Sequence, residues 1–151
     1  ALASCATLHT LSLAHSRQMR DVSSLAGCAV LQKLNLRGTG VIDLAHLPGC
    51  AVLHTLDLRG TRVTDLSALL DCATLHTLNL SFCSRLTNIL PLRECASLRT
   101  LDLSYCRELS DVSALAGCAV LHTLNLRDCE MRDVSALAGC PALHTLDLSA
   151  C

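Results

Sequence analysis

The sequence has almost no aromatic residues, since its 151 residues include one Phe, one Tyr and no Trp. A compact domain of this length normally uses aromatic side chains to fill a sizeable central core. Their scarcity therefore argues against such a core. Leucine takes their place as the main large apolar residue.

A long apolar run and an excess of one charge are also missing. Uninterrupted apolar stretches are only a few residues long, so the sequence predicts no membrane-spanning helix. The chain has 12 Lys and Arg against 13 Asp and Glu, and these charges are spread evenly along it. Because no basic stripe appears, nucleic acid and anionic membranes are disfavoured as partners.

Motifs of common active sites are missing as well. No G-x-S-x-G, H-E-x-x-H or C-x-x-C occurs, and Gly38-Thr39-Gly40 is an isolated turn rather than a phosphate-binding loop. The spacing C-x-x-x-H occurs in five pairs: Cys5 and His9, Cys50 and His54, Cys72 and His76, Cys118 and His122, Cys140 and His144. In the strand pattern described next, each Cys points inward and each His outward, so these pairs should not converge on a metal ion. The sequence predicts no enzyme, metal site or cofactor.

What the sequence contains is one unit repeated along its whole length. A shift of 22 or 23 residues aligns seven cysteines, each followed by a leucine three positions later: Cys5, Cys28, Cys50, Cys72, Cys95, Cys118 and Cys140. Self-similarity at this period is typical of a stacked repeat array. We therefore expect a single domain over residues 1–151, with six full repeats from Cys5 to Gly139 and a partial unit at each end. The chain is expected to be part of a longer array.

Each unit predicts a short strand followed by a compact return. Leu124 and Leu126 alternate with polar residues, which indicates a strand with one buried and one solvated face. The run from Asp133 to Gly139 then offers Asp as a helix N-cap and Gly as a terminator. The fourth return has Asn88 at the Asp position and contains Pro91, so we expect it to be more irregular than the others.

The pattern L-x-x-L-x-L-x-x-C-x-[LMV] with a D-[VL]-S-x-L return resembles the leucine-rich repeat family over essentially all 151 residues. The units are similar to the short internalin-like class and, in their turn cysteines, to the cysteine-containing class. The resemblance implies a right-handed α/β solenoid with a parallel concave sheet of about seven strands and short irregular or helical convex returns. Because the returns are short, we expect shallow curvature. The family also implies a protein or peptide partner laid across the strands.

Eleven cysteines form two columns: the seven above and four at the turns, which are Cys83, Cys106, Cys129 and Cys151. Their order follows the repeat period and not a pairing pattern, so we interpret them as buried thiols that meet backbone carbonyls, with disulfides as the alternative. Free thiols favour an intracellular, reducing compartment, most simply the cytoplasm. The glycosylation sequon Asn79-Leu80-Ser81 also favours an intracellular location, because a glycan added in a secreted protein would obstruct the strand face.

The solvent face of the strands is the predicted protein-binding surface. Asn and Asp alternate in its central column from Asn35 to Asp147, which avoids like-charge repulsion and allows Asn-to-Asp hydrogen bonds. The alternative is that these side chains hydrogen-bond only to one another, keep the face soluble and bind no ligand. The candidate binding residues are Thr55, Asp57, Arg59, Thr77, Asn79, Ser81, Phe82, Thr100, Asp102, Ser104, Tyr105, Thr123, Asn125 and Arg127.

The only two aromatic residues, Phe82 and Tyr105, occupy the same position in adjacent repeats. They are either binding anchors or a local lid over the cysteine turns beneath them. The sequence thus favours a non-catalytic interaction scaffold. A purely structural or designed array and a substrate-receptor part of a larger enzyme complex are the alternatives. Uncapped leucines in both terminal units would permit end-to-end self-association.

Overall fold

The computed structural model describes residues 5–45, 47 and 52–151. Seven strands of three residues each form one parallel sheet in chain order. Their bounds are Thr10–Ser12 (β1), Lys33–Asn35 (β2), Thr55–Asp57 (β3), Thr77–Asn79 (β4), Thr100–Asp102 (β5), Thr123–Asn125 (β6) and Thr145–Asp147 (β7). This arrangement confirms the predicted solenoid.

The sheet register places equivalent leucines side by side and so builds the core as a ladder. The central strand positions from β2 to β6 are at most 1% exposed, and they are Leu34, Leu56, Leu78, Leu101 and Leu124. Parallel strands lie about 4.8 Å apart, a spacing at which slim branched side chains stack well. This repetition explains how the chain buries a continuous core without aromatic residues.

Leucines at the two ends of the sheet are less covered than those in the middle. Leu146 and Leu148 on the outermost strand β7 remain 41% and 36% exposed, and Leu11 on β1 is only partly buried. The sequence analysis expected apolar surface at these positions. End-to-end association through them stays a prediction.

Short 3-10 turns form the convex returns at Ser23–Leu25, Ser67–Leu69, Leu90–Glu94, Ser113–Gly117 and Ser135–Gly139. The predicted Asp N-cap is wrong by one position, since Val112 and not Asp111 precedes the turn at Ser113. Asp111 acts from one residue further back, where its Oδ1 accepts the Ser113 N–H at 2.7 Å. The return between β2 and β3 lies partly outside the described residues. No helix in the described part of the chain is long and apolar enough to cross a membrane.

The fourth return is not the irregular segment that the sequence predicted. Its turn Leu90–Glu94 has five residues, as has the turn Ser113–Gly117 in the next repeat. Asn88 keeps the hydrogen bond that Asp forms in the other returns, because its Oδ1 accepts the Leu90 N–H at 2.7 Å. Pro91 falls in the first turn, where a helical segment does not need the missing N–H.

Glycine at the end of a return has a different role from the expected helix terminator. Among the described glycines, only Gly38 and Gly60 have positive φ angles. Gly139 instead lies against the preceding repeat, where an added Cβ would approach the Ala116 Cα to 2.9 Å and collide with its carbonyl oxygen. Glycine is needed there because only a residue without a side chain lets the two returns pack so closely.

Cysteines in both columns donate hydrogen bonds to backbone carbonyls of the preceding repeat. In the turn column, Sγ-to-O distances are 3.3, 3.2 and 3.1 Å for the pairs Cys83–Leu58, Cys106–Leu80 and Cys129–Leu103. In the other column, Cys140 Sγ lies 3.1 Å from the Leu115 oxygen. None of the ten described cysteines is in a disulfide. The thiols therefore connect neighbouring repeats through hydrogen bonds.

Candidate protein-interaction surface

The structure brings the predicted strand-face residues together on one side of the sheet. In β3 to β6 each buried leucine is flanked by two half-buried residues whose side chains point to the opposite face. These are Thr55, Asp57, Thr77, Asn79, Thr100, Asp102, Thr123 and Asn125. Arg59 is half-buried and Arg127 is exposed two residues beyond their strands.

The Asn and Asp side chains of the central column form hydrogen bonds within their own strand-end turns and not with one another across the sheet. Asp57 Oδ1 accepts the backbone N–H two residues ahead, that of Arg59, at 2.9 Å, and Asn125 does the same at 3.0 Å. The contact recurs at Asn35, Asn79, Asp102 and Asp147. Among the described residues no Asn-to-Asp hydrogen bond joins this column, so the expected ladder is not formed. A turn after each strand brings the amide into reach, and either oxygen type can accept it.

Two of the predicted binding residues are inaccessible. Ser81 is 1% exposed and Ser104 is 5% exposed. Their hydroxyls donate to the Oδ1 atoms of Asn79 and Asp102, both at 2.7 Å. These serines hold the turn after the strand, and a partner could not reach them without moving it. We therefore leave both out of the candidate surface.

Phe82 and Tyr105 form a stacked pair at the edge of the sheet. Their ring centroids lie 4.3 Å apart with an angle of 13° between the planes. The Arg59 guanidinium carbon lies 4.8 Å from the Phe82 centroid, close enough for a cation–π contact. Phe82 is nevertheless 44% exposed. Arg59, Phe82 and Tyr105 are called the aromatic platform below.

The backbone beneath both rings is in the left-handed region. Phe82 has a φ of 61° and Tyr105 of 62°, whereas the same turn position holds Gly38 and Gly60 in the second and third repeats. A residue with a side chain costs about 1 kcal/mol or more in this region. All seven turns have a positive φ at this position, so the conformation is a property of the repeat, and bulky residues are uncommon in it. The chain thus has two large rings at positions where glycine would adopt the backbone conformation at a lower free energy.

An acidic residue flanks the platform on the side opposite Arg59. Asp128 follows β6 and contacts two cations, with its carboxylate 3.7 Å from Arg127 Nε and 3.8 Å from Arg107 Nη2. Contacts of this length between partly exposed groups contribute little to stability. They do place a cation, two rings and an anion in succession along one edge of the sheet.

Residues 50–151 match the family described as the Endo-beta-N-acetylglucosaminidase EndoS LRR domain. The chain belongs to this leucine-rich repeat family. Among the curated proteins, no sequence gives a significant match.

Solved structures of leucine-rich repeat proteins share the fold. The internalin inlF of Listeria monocytogenes has a TM-score of 0.66 at 22% identity over 93% of this chain, which spans 47% of that protein's length. The ectodomain of the Arabidopsis thaliana receptor kinase GASSHO1/SCHENGEN3, in complex with CASPARIAN STRIP INTEGRITY FACTOR 2, has a TM-score of 0.79 at 21% identity, covering 96% of this chain and 19% of the ectodomain. TLR13 in its complex with ssRNA13 has a TM-score of 0.82 at 24% identity, covering 99% and 22%. At these identities the likeness concerns the fold alone.

The Cys-x-x-x-His pairs of these leucine-rich repeats are oriented as predicted in the described units. Cys72 and Cys118 are buried, whereas His76 is half-buried and His122 is exposed. Cys50 lies outside the described residues. The outward histidines stack in two pairs, His54 with His76 at 5.2 Å and His122 with His144 at 5.4 Å between centroids. Within the described ranges, no three His, Cys, Asp or Glu side chains are grouped to hold a metal ion.

The buried thiols are poor nucleophiles in this setting. Burial raises the pKa of Cys118 to about 11, with a further contribution from the neighbouring Cys140 thiol. Burial also raises the pKa of Cys129 to about 11, although a backbone hydrogen bond from Cys106 opposes the shift. Both groups stay protonated near neutral pH, whereas a nucleophile or metal ligand requires the thiolate.

The sequence analysis missed a second feature at the same edge of the sheet. Arg17, Arg20 and Arg62 line a hollow of about 420 Å³ together with Gly38, Gly40 and Gly60. The sequence analysis interpreted the Gly38-Thr39-Gly40 turn as isolated and found no basic stripe. The signal that could have found it is the presence of Arg in the turn segments that follow β1 and β3, on either side of the glycine turn that follows β2.

Proposed function

We propose that this leucine-rich repeat domain binds a protein or peptide on its concave strand face, with the aromatic platform as the anchor. The observation that carries the proposal is the stack of exposed Phe82 on half-buried Tyr105 above left-handed backbone. Aromatic and Arg side chains dominate the binding energy of protein interfaces. A rigid pair of rings also loses little conformational entropy when a partner covers it.

The charges around the platform support a protein partner. The surface offers four cations and four anions, which are Lys33, Arg37, Arg59, Arg127, Asp57, Asp102, Asp128 and Asp147. A polyanion would meet as many repulsive as attractive groups on such a surface. A protein surface of mixed charge can place an opposite charge against each of these groups.

The proposal is tested by replacing both rings with glycine. Phe82→Gly with Tyr105→Gly should weaken capture of the partner from a cell extract by at least about tenfold, as expected when a hot spot is removed. Stability should be unchanged or slightly higher, because glycine suits the left-handed turn, as at Gly38 and Gly60. Binding is followed by quantitative mass spectrometry and stability by thermal unfolding.

The matched control is Leu90→Ser on the convex side. Leu90 is 50% exposed and stands where several other repeats have Ser, so this change should leave both binding and folding intact. Partner binding that survives the double glycine variant would contradict the proposal. A large fall in melting temperature would instead support the lid over the cysteine turns. Failure of the parent protein to retain any partner would support a purely structural array.

We also propose an intracellular, reducing location, most simply the cytoplasm. The buried hydrogen-bonded thiols support it, as does the half-buried Asn79, whose Oδ1 is engaged by the Ser81 N–H at 2.9 Å. Glycosylation of that sequon would place a sugar chain on the candidate surface. Rapid alkylation of intact cells followed by mass spectrometry should find reduced cysteines and an unmodified Asn79. Disulfides or a glycan would contradict this location.

A second candidate is a substrate-receptor role in a larger enzyme complex. It is favoured by the match to a repeat domain of an endo-beta-N-acetylglucosaminidase family. In that case the domain should retain glycoproteins, and enzymatic removal of their N-glycans should abolish retention. Retention that survives deglycosylation would leave the protein or peptide interface as the better account.

A further inference from the structure

We propose that the hollow at the edge of the first three repeats binds a phosphate monoester on a phosphorylated peptide partner, an inference that rests on the proposed function. The hollow lies at the turns that follow β1, β2 and β3, on the same edge as the aromatic platform. It is called the arginine hollow below and is formed by Arg17, Arg20, Arg62, Gly38, Gly40 and Gly60.

Gly60 keeps its part of the arginine hollow open, whereas the His15 ring covers Gly38, where an added Cβ would lie 2.9 Å from His15 Nδ1. A Cβ added at Gly60 would meet no atom within 4 Å, so the space above this turn is empty. The next two repeats fill the same turn position with the rings of Phe82 and Tyr105. Gly40 is required for another reason, since a Cβ there would lie 2.7 Å from the Arg17 oxygen and 2.9 Å from the Met19 oxygen. Close packing of the first two turns therefore forms one wall of the hollow.

The three guanidinium groups have no countercharge within the protein. Arg17, Arg20 and Arg62 are exposed, and none forms an ion pair with any carboxylate of the described residues, which include every Asp and Glu of the chain. The nearby carboxylates are directed to their own returns. Asp43 Oδ1 accepts the Ala45 N–H at 2.7 Å, and Asp65 and Asp21 engage serines in the same way.

Three uncompensated guanidinium groups favour a dianionic oxygen ligand. The planar Arg side chain presents paired N–H donors that match the oxygen atoms of a phosphate. A phosphate monoester carries a charge of about −1.5 to −2 near neutral pH and has three acceptor oxygens. A single carboxylate would neutralise less of the charge in the hollow.

A hollow of nearly the same volume later in the chain differs from the arginine hollow in charge. Its lining includes Arg107, Glu108, Glu130 and Arg132, and its volume is about 410 Å³. Two carboxylates there balance two guanidinium groups, and Arg107 also contacts Asp128. This second hollow supplies a matched control on the same protein.

The charge distribution favours a phosphorylated peptide over RNA or a membrane. The hollow of the first three repeats is lined by three arginines and no carboxylate, and the edge continues with the aromatic platform and then Asp128. A polyanion that followed the edge would therefore meet an acidic residue. A longer peptide with one phosphorylated side chain in the arginine hollow would extend along the edge toward the two rings.

The test is an NMR titration of the protein with a five-residue peptide that has a central phosphoserine, at constant ionic strength. We expect saturable shifts of the Gly38, Gly40 and Gly60 amide signals at millimolar peptide or below, and none with the unphosphorylated peptide. The triple variant R17Q/R20Q/R62Q should weaken binding by roughly tenfold or more, the loss expected from removing charge-assisted hydrogen bonds. The control variant R107Q/R132Q should bind like the parent.

Absence of saturable shifts, or an equal loss in both variants, would overturn the proposal. Tighter binding of a single-stranded hexaribonucleotide would overturn it in favour of RNA, and binding only to vesicles that contain phosphoinositide would do so in favour of a membrane. The titration requires no natural partner and should be unaffected by the Phe82→Gly and Tyr105→Gly changes. Its failure is therefore distinguishable from failure of the proposed protein interface.

Discussion

The threonine turns of the second and third repeats differ from the later cysteine turns in the reach of their hydrogen bonds. Thr61 Oγ1 donates to the Leu58 carbonyl of its own turn at 2.8 Å. Cys83 Sγ donates to the same carbonyl from the next repeat, at 3.3 Å. The bond donated to the carbonyl is therefore local for the hydroxyl and connects two repeats for the thiol, and the two side chains also contact each other at 3.5 Å between Thr61 Oγ1 and Cys83 Sγ. The same turn backbone therefore accommodates either threonine or cysteine.

The same two regions differ at the left-handed position before that side chain. The threonine turns have Gly38 and Gly60 there, and the first two cysteine turns have Phe82 and Tyr105. Gly60 leaves its turn open beside the arginines, and the rings create an aromatic edge flanked by Asp128. The repeated core is thus constant while one turn position decides what the protein presents to a partner.

The largest expected effect tests whether the core is shared by both regions. Leu56→Ala in β3 and Leu101→Ala in β5 should each lower the free energy of unfolding by about 3 kcal/mol, because both side chains are fully buried. Urea unfolding followed by circular dichroism measures the loss. A difference of more than about 2 kcal/mol between the variants, comparable to the full spread among buried leucines, would contradict an equivalent core.

A smaller effect separates the two reasons for glycine in the threonine turns. Gly40→Ala should lower the free energy of unfolding by about 2–3 kcal/mol, since its Cβ would overlap two backbone carbonyls of the preceding repeat. Gly60→Ala should cost only about 1 kcal/mol, because its surroundings are open and only the positive φ opposes a side chain. Thermal unfolding of both variants should show this order. The reverse order would contradict the distinction between close packing and backbone conformation.

The smallest effect concerns pH and the cysteine turns. Burial raises the pKa of Cys118 and Cys129 from 9.0 to about 11 and raises that of Cys106 still further. Above pH 9 the unfolded chain loses thiol protons that the folded chain keeps, so stability should be complete below pH 9 and should fall as pH rises toward 11. Urea unfolding at a series of pH values measures this slope.

The variant Cys83→Thr with Cys106→Thr and Cys129→Thr should reduce that slope, because threonine does not titrate in this range. The slope should not vanish, since Cys118 remains. An unchanged slope in the triple variant would show that other groups cause the loss at high pH.

The core and the strand face could be predicted because every position is repeated. A leucine such as Leu101 has equivalents in the other units, so a pattern read from one unit is tested by all the others. The alternation of Leu124 and Leu126 with polar residues then defines which side chains reach solvent. The strand positions and the inward cysteines followed directly from that repetition.

The turns were less predictable because their roles depend on backbone geometry. Ser81 has the residue type of a solvated position, but the turn buries it against Asn79. Gly139 was expected to end a helix, whereas close approach of Ala116 is what requires it. The aromatic residue type of Phe82 does not suggest a positive φ, although Gly38 and Gly60 at the same repeat position do. Such features require the path of the chain in three dimensions.

Site-specific photocrosslinking tests the central claim that the strand face beside the aromatic platform carries recognition. A photoreactive amino acid is placed at Asn125 on the strand face or at Ser113 on the convex side, in the parent and in the Phe82→Gly, Tyr105→Gly background. We predict that a partner protein crosslinks from Asn125 but not from Ser113, and that the crosslink disappears when both rings are removed. Crosslinks from Ser113 alone, or from Asn125 regardless of the rings, would contradict the account.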